Sequence, residues 1–142
     1  MGQDRPIFQR ILLKLSGEAL GPKGGKGLAA EALDDIAVRI KEVAETGVQV
    51  AVVVGGGNFF RGLPASRKGL GRTTGDSIGM LATVMNGLAL RDALEQAGQA
   101  CQIQSAFAID GMAGPVDSRA ARHLLARGTV VIFAGGTGQP FF

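Results

Sequence analysis

The strongest constraint on the fold of this chain is the stretch VQVAVVV at 48–54, which stops at three consecutive glycines, Gly55, Gly56 and Gly57. The stretch is too short for a stable helix and rich in β-branched residues, so it predicts a central strand of a parallel sheet. One glycine would be enough for a tight turn. Three in succession let the backbone approach a phosphate and direct N–H groups toward it, which favours an anion-binding loop.

The rest of the chain alternates strands with helices. Short apolar runs predict strands, and apolar residues at helical spacing predict helices, with glycine-rich or polar segments between them. The predicted strands cover 7–15, 48–54, 99–106 and 129–134, the predicted helices cover 30–46, about 76–96 and 117–127, and the segments 20–28, 58–75 and 110–115 are two loops and a turn. This order indicates an α/β fold, a three-layer α/β/α sandwich around a mostly parallel sheet.

The glycines of this chain, 23 of its 142 residues, are concentrated in short runs. Three of the four predicted strands end in small, glycine-rich turns, at 16–17, 55–57 and 135–138. Ligands of parallel α/β sheets bind beyond the carboxyl ends of the strands. We therefore expect the three turns to meet at one edge of the sheet and to form the ligand site.

Composition argues against several other classes of protein. The net charge is only +3, and the chain has no long basic run, no Trp and no Tyr, so a small anionic ligand is a better fit than nucleic acid. Cys101 is the only cysteine, which excludes an intrachain disulfide and suits a reducing cytoplasm. The longest uncharged apolar stretch, 77–90, is too short and too interrupted to cross a membrane. It predicts a helix buried nearly all round, in a core or a subunit interface.

Three side chains are candidates for ligand contact, and each has a structural alternative. Lys14 either neutralises a phosphate beside the N–H groups of Ser16 and Gly17 or extends into solvent from an edge strand. Arg61 either clamps phosphate oxygens or is a solvated loop arginine. Asp76 either accepts hydrogen bonds from a ribose diol or caps the predicted helix, and the sequence alone favours the cap.

Two standard nucleotide-binding motifs are absent from the sequence. A dinucleotide fingerprint would need a further glycine at Phe60 or Phe141, and the segment around Gly25–Lys26 lacks both the Ser or Thr and the first glycine of a P-loop. The sequence also has no Cys/His cluster for zinc and no paired catalytic carboxylates, and His123 is expected at the surface. Phosphate binding would therefore use another loop design.

Four stretches of the sequence carry a family resemblance: RILLKLSGEAL at 10–20, VVGGGNFFRG at 53–62, GDSIGMLATVMNGLALRDAL at 75–94 and VVIFAGGTGQPFF at 130–142. Taken together, they resemble the bacterial UMP kinase (uridylate kinase) family of the amino-acid-kinase fold. The middle two are highly specific, and the resemblance is weak over 21–30, 63–73 and 107–121. It implies transfer of the γ-phosphoryl group of ATP to UMP, giving UDP and ADP, with Mg²⁺ carried on ATP.

The resemblance also implies roles for individual residues. The ATP phosphates would lie on Lys14, Leu15, Ser16, Gly17, Gly57 and Arg61, of which Lys14 and Arg61 would be catalytic. UMP would lie on Gly56, Asp76, Thr137, Gly138, Gln139, Pro140, Phe141 and Phe142. The loop of Pro22, Lys23, Gly24, Gly25, Lys26 and Gly27 matches the loop tied to GTP activation, with UTP as a second expected effector. A cytoplasmic homohexamer without nucleic-acid, membrane or protein-bound metal partners is the implied assembly.

The chain departs from the family pattern near its end. Gln139 stands where the family usually has Asn, the two threonines that normally follow the phenylalanines are absent, and so is the half that binds the ATP base. We therefore expect 1–142 to be one incomplete domain, the nucleoside-monophosphate-binding part, which alone binds nucleotide weakly without turnover. Two alternatives stay open: a nucleotide-binding storage or regulatory module of the same fold, and a sibling kinase acting on an amino-acid carboxylate, against which the helix at 75–94 argues.

Overall fold

A computed structural model describes residues 5–60 and 69–140 of the chain. The strands are β1 (Arg10–Leu15), β2 (Gln49–Val54), β3 (Cys101–Ser105), β4 (Gly114–Pro115) and β5 (Val130–Ala134), and the helices are α1 (Ala30–Glu45), α2 (Arg72–Gln96) and α3 (Ser118–Ala126). A short 3₁₀ helix, Gly17–Leu20, follows β1 directly. The predicted alternation of strands and helices is confirmed.

The five strands form one sheet in the order β1-β2-β5-β3-β4, and every neighbouring pair is parallel. The register aligns one row of apolar side chains across four strands: Leu13, Val52, Ile132 and Ile103. Because all strands run the same way, the loops after β1, β2, β3 and β5 leave the sheet at the same edge. This arrangement places the three glycine-rich turns together, as the sequence predicted.

The helices cover both faces of the sheet. On one face, α1 and α2 bury residues such as Leu33, Ile40 and Leu90 against the aligned apolar row of the sheet. On the other face, α3 packs Ala121 and Leu125 against Ala51 of β2 and Val131 of β5. This separation into two apolar clusters confirms the predicted three-layer α/β/α arrangement.

Several predicted boundaries were wrong. The first strand begins at Arg10, not residue 7, because Ile7 and Phe8 are highly exposed and outside the sheet. The long helix begins at Arg72, one turn before Asp76, with Gly71 at its N-cap. The segment predicted as a turn at 110–115 contains β4, which pairs with the end of β3. Each difference between a predicted and an observed boundary depends on a tertiary contact or on a local backbone conformation that sequence patterns do not encode.

Within the described residues, the stretch 77–90 is buried on one side only, so the core does not supply the predicted burial nearly all round, and burial in a subunit interface stays a prediction. Leu90 and Leu94 are fully buried, but Ile78, Leu81 and Met85 remain substantially exposed. These three residues follow helical spacing, so they form one apolar stripe that the described residues leave uncovered. Among the described helices, none is long and apolar enough to cross a membrane.

Candidate functional site

The loops after β1 and β2 are in direct contact at the carboxyl edge of the sheet. The Gly55 N–H donates to the Leu15 carbonyl at 2.8 Å. A Cβ added at Gly17 would overlap Asn58 Oδ1 and lie 2.6 Å from the backbone nitrogen of Gly57. The absence of a side chain at Gly17 therefore lets the two backbones pack together, which explains why the sequence places glycine there.

The middle of the β2 loop rests on α2. A Cβ at Gly56 would lie 2.8 Å from the Gly79 carbonyl oxygen and 2.9 Å from the Ala82 Cβ. The loop backbone is consequently held against the second and third turns of α2, with no room for a side chain on that side. The three glycines serve close packing as well as any approach of a ligand.

The loop after β5 is attached to the same helix. Gly135 has φ +85°, and its N–H donates to Thr83 Oγ1 at 2.6 Å, while Thr83 Oγ1 donates to the Met80 carbonyl at 2.6 Å. Gly138, with φ +74°, packs against the backbone of Ala106 beyond β3. A single helix thus positions the loops of two strands.

A pair of buried amides links the β2 loop to α2. Asn58 is 2% exposed and Asn86 is 0% exposed. Asn58 Nδ2 donates to Asn86 Oδ1 at 3.0 Å, and Asn86 Nδ2 donates back to Asn58 Oδ1 at 2.7 Å. Asn86 Nδ2 also donates to the Gly55 carbonyl at 2.7 Å. Buried amides need partners of this kind, because an unsatisfied one would be costly.

Lys14 lies at the carboxyl end of β1, on the same face as Arg10 and Leu12, and it is exposed. Because the ammonium group is accessible to water, burial alone does not require an anionic partner for Lys14. Within the described sheet β1 is an edge strand, and Lys14 lies one residue before the end of that strand. Arg61, the second predicted cation, lies outside the described residues.

Leu15 and Ser16 complete the predicted phosphate segment. Leu15 faces the α1–α2 side of the sheet and is half-buried, while the Ser16 carbonyl accepts the N–H of Ala19 as the 3₁₀ helix begins. Glu18 in that helix places its carboxylate beside Gly57, with Oε1 2.9 Å from the position of a Cβ on that glycine. An acidic group thus lies at the edge of the proposed phosphate loop.

Asp76 does not cap α2, which corrects the interpretation that the sequence favoured. The helix begins four residues earlier, and Asp76 Oδ2 lies 3.8 Å from Nε of Arg72 within it. Asp76, Met80 and Thr83 follow helical spacing on one face. Since Met80 approaches Gly136 and Thr83 binds Gly135, this spacing directs Asp76 toward the side of the β5 loop.

The predicted effector loop is attached to the same edge through Gly27. The Gly27 N–H donates to the Asn58 carbonyl at 2.8 Å, and Asn58 Nδ2 donates to the Gly27 carbonyl at 2.9 Å. Gly24 and Gly27 both have positive φ, which explains the choice of glycine at those positions. The other residues of this loop, which are Pro22, Lys23, Gly25 and Lys26, are exposed.

The predicted uridine segment follows β5. Thr137 Oγ1 donates to the Gln139 carbonyl and accepts the Gln139 N–H, both at 3.3 Å, so the turn is closed by its own residues. Gln139 is exposed and Pro140 is half-buried. Phe141 and Phe142 lie outside the described residues.

Sequence reasoning missed four residues that organise this edge: Glu18, Asn58, Thr83 and Asn86. Asn86 and Thr83 sit inside the largely apolar stretch 77–90 of α2, and polar residues on the buried side of such a stretch are the signal that could have identified them. Among the described residues, no cluster of three or more His, Cys, Asp or Glu could hold a metal ion.

These features define a class of protein, a parallel α/β protein whose glycine loops converge where ligands of such sheets bind. The chain belongs to the amino acid kinase family, whose pattern matches residues 9–140. It is similar to the uridylate kinase of Photobacterium profundum, with 52% identity over 138 residues, which cover 97% of this chain and 58% of that protein. The chain thus spans little more than half the length of this curated relative.

Solved structures show the same similarity. The crystal structure of UMP kinase from Bacillus anthracis superposes with a TM-score of 0.89 at 38% identity, over 95% of this chain and 56% of that one. UMP kinase from Ureaplasma parvum gives a TM-score of 0.87 at 31% identity, over 97% of this chain and 58% of that one. The predicted fold and family are therefore confirmed.

Proposed function

We propose that the full-length protein is a UMP kinase that transfers the γ-phosphoryl group of ATP to UMP, giving UDP and ADP. The observation that carries this proposal is the convergence of three glycine loops at one sheet edge, in a chain 52% identical to a uridylate kinase. In this proposal residues 1–142 form the part of the domain that binds the nucleoside monophosphate.

The phosphates of ATP are proposed to lie on the paired loops after β1 and β2. Gly17 and Gly57 bring the two backbones together, and N–H groups of these loops are proposed to donate to phosphate oxygens. Lys14, which precedes Gly17 by three residues and is exposed, is proposed to neutralise the charge of the ATP phosphates. Arg61 is proposed to act with it. Leu15 and Ser16 would contribute backbone between these groups.

UMP is proposed to lie between the β2 and β5 loops, over α2. Gly56 would meet its phosphate, the Asp76 carboxylate would accept hydrogen bonds from the ribose hydroxyls, and the segment 137–142 would approach the base. The support for this arrangement is that Gly56, Gly135 and Gly136 all pack against the same stretch of α2, 79–83. The two loops are thereby held on one support.

The proposed reaction needs no general base. The attacking phosphate oxygen of UMP is already ionised near neutral pH, so rate depends on aligning two anionic substrates and neutralising their charge. Mg²⁺ enters as part of the ATP substrate and shares the charge of its phosphates. The chain's own contribution is the cation Lys14 together with fixed backbone N–H groups, whose orientation is set before the reaction.

Two further proposals concern the regulation of the enzyme and its assembly into an oligomer. We propose that the loop 22–27 responds to GTP, with UTP as a second effector, and that the enzyme is a cytoplasmic homohexamer. The exposed stripe of Ile78, Leu81 and Met85 supports a subunit contact on α2, since apolar stripes of this kind are usually covered in an assembly.

The test is a coupled ADP-release assay of the full-length protein with ATP–Mg²⁺ and UMP, CMP, AMP or GMP. We expect turnover of UMP at least tenfold above AMP or GMP. Equal turnover of AMP would contradict the assignment. Binding of ATP and UMP by calorimetry without release of ADP would instead favour a storage or regulatory module, and phosphorylation of an amino-acid carboxylate would favour a sibling kinase.

A further inference from the structure

The buried amides of Asn58 and Asn86 form a fully satisfied hydrogen-bond network. Two carboxamides supply four N–H donors, and all four are used: two between the amides themselves, one to Gly55 and one to Gly27. Both amide oxygens accept a bond from the opposite side chain. Each amide therefore has one allowed orientation, and neither can rotate without leaving a buried polar group unpaired.

This network joins three segments that are distant in sequence. Gly55 begins the β2 glycine loop, Asn86 lies in the middle of α2, and Gly27 closes the loop that follows the 3₁₀ helix. Gly27 is held by Asn58 through both its N–H and its carbonyl. A shift of Gly27 must therefore either break two hydrogen bonds or move Asn58.

The loop that ends at Gly27 has a fixed base and an exposed tip. At the base, the Ala29 N–H donates to the Leu20 carbonyl at 2.9 Å, and a Cβ at Gly21 would lie 2.7 Å from the Gly27 carbonyl oxygen. The tip at 22–26 carries two exposed lysines. Gly27 is therefore the residue at which the exposed tip meets the hydrogen bonds of Asn58.

We propose that Asn58 and Asn86 are positioning residues that couple the loop 22–26 to the β2 glycine loop, so that a displacement of either loop changes the geometry of the other. The proposal rests on the proposed function for its catalytic consequence, because Gly56 and Gly57 are there assigned to phosphates. In a reaction governed by alignment, a loop displaced by about 1 Å can cost roughly 10²-fold in rate. The amides themselves touch no reacting atom.

The test combines hydrogen exchange with kinetics on the full-length protein carrying Asn86→Ala. Asn86 has no hydrogen bond to the loop 22–27 among the described contacts, yet we expect exchange in a peptide spanning 21–28 to rise about tenfold, as local opening becomes easier. We also expect kcat to fall about tenfold, with a smaller change in KM for UMP.

Thr83→Val is the matched control, because Thr83 lies one turn earlier in the same helix and binds the β5 loop instead. In the Thr83→Val protein, backbone amide hydrogen exchange should rise at 135–138 and stay within about twofold of wild type at 21–28. Should Asn86→Ala fail to fold, Asn86→Ser provides the same comparison, since the smaller side chain leaves room for water to satisfy Gly55.

Several results would overturn the proposal. Unchanged exchange at 21–28 in the folded Asn86 variant would show that the loops are independent. An equal rise at 21–28 in Thr83→Val would show only general loosening of the fold. Raised exchange with unchanged kcat would remove the positioning role. If wild type does not phosphorylate UMP, the proposed function fails, and the exchange comparison alone still decides whether the two loops are coupled.

Discussion

The hydroxyl of Thr83 accepts the backbone N–H of Gly135 at 2.6 Å and donates to the Met80 carbonyl, also at 2.6 Å. Gly135 lies at the end of a buried strand and is itself buried, so its N–H has little access to water. One side chain of α2 thus satisfies the first donor of the β5 loop. The hydroxyl explains why a polar residue occupies a buried helix position.

Thr83→Val should destabilise the protein by about 2 kcal/mol, because the shape is kept while the buried Gly135 N–H loses its acceptor. If the β5 loop binds UMP as proposed, KM for UMP should rise as well. Urea unfolding and steady-state kinetics measure the two effects. Thr83→Ser keeps the hydroxyl, so its free energy of unfolding and its KM for UMP should both stay close to wild type. A serine variant as unstable as Thr83→Val would contradict the hydrogen-bond explanation.

Gly17→Ala tests the contact between the β1 and β2 loops. The added Cβ would overlap the buried Asn58 amide and lie 2.6 Å from the backbone of Gly57, neither of which can move away easily. We expect a loss of about 3 kcal/mol, the upper end of the usual cost of overpacking, measured by urea unfolding. Gly114→Ala is the control, since a Cβ there meets nothing within 4 Å. Similar losses for both variants would show that close packing at Gly17 is not the cause.

The sequence predicted the layers of this fold because periodicity and glycine placement are local properties. The VQVAVVV stretch became β2, and three glycine turns met at one edge because parallel strands share their carboxyl ends. The start of α2 was not predictable in this way. Thr74–Gly75–Asp76 has the composition of a helix start, yet the chain is already helical from Arg72.

The site was predictable only in outline. Glycines indicated where backbone approaches closely, but the sequence could not show that Gly17 packs on Gly57 or that Gly56 rests on α2. The pairing of Asn58 with Asn86 joins residues 28 positions apart and depends on the final position of the helix. Long-range amide pairing leaves no periodic signal, so Asn58 and Asn86 appear in the sequence only as polar residues without an assigned role.

Cys101 should make stability depend on alkaline pH. Burial raises the pKa of its thiol from 9.0 to about 12, with the carboxylate of Glu95 adding to the rise and the charge of Arg91 opposing it. The unfolded chain therefore loses this proton first, so the contribution to stability is complete below pH 9 and is lost as pH rises from 9 toward 12.

Between pH 8 and pH 10.5 this single group should remove about 2 kcal/mol of unfolding free energy, at about 1.4 kcal/mol per pH unit above 9. Urea unfolding of wild type and Cys101→Ala at both pH values isolates the effect, because the other titrating groups are common to both proteins. An identical pH dependence in the two proteins would show that the buried thiol ionises as freely as in the unfolded chain.

Asp76→Asn should raise KM for UMP about tenfold, because a charged acceptor for the proposed ribose contact becomes neutral. Stability should change little, since Asp76 is not a cap and its ion pair with Arg72 is partly exposed. Kinetics and thermal unfolding measure the two outcomes. Arg72→Gln removes the same ion pair while keeping the carboxylate, so a similar rise in KM in that variant would refute the ribose role.

Lys14→Ala should lower kcat by roughly 10²-fold or more with a smaller effect on KM for UMP, because a fixed cation counts most where charge shifts toward the β–γ bridge of ATP. Arg10→Ala is the matched control: it is exposed on the same face of β1 but lies about 13 Å farther from the glycine loops. Its kcat should stay near wild type. An equal loss in both variants would mean that general positive charge, rather than the placement of Lys14, supports turnover, and a rise in KM alone would make Lys14 a ground-state binder.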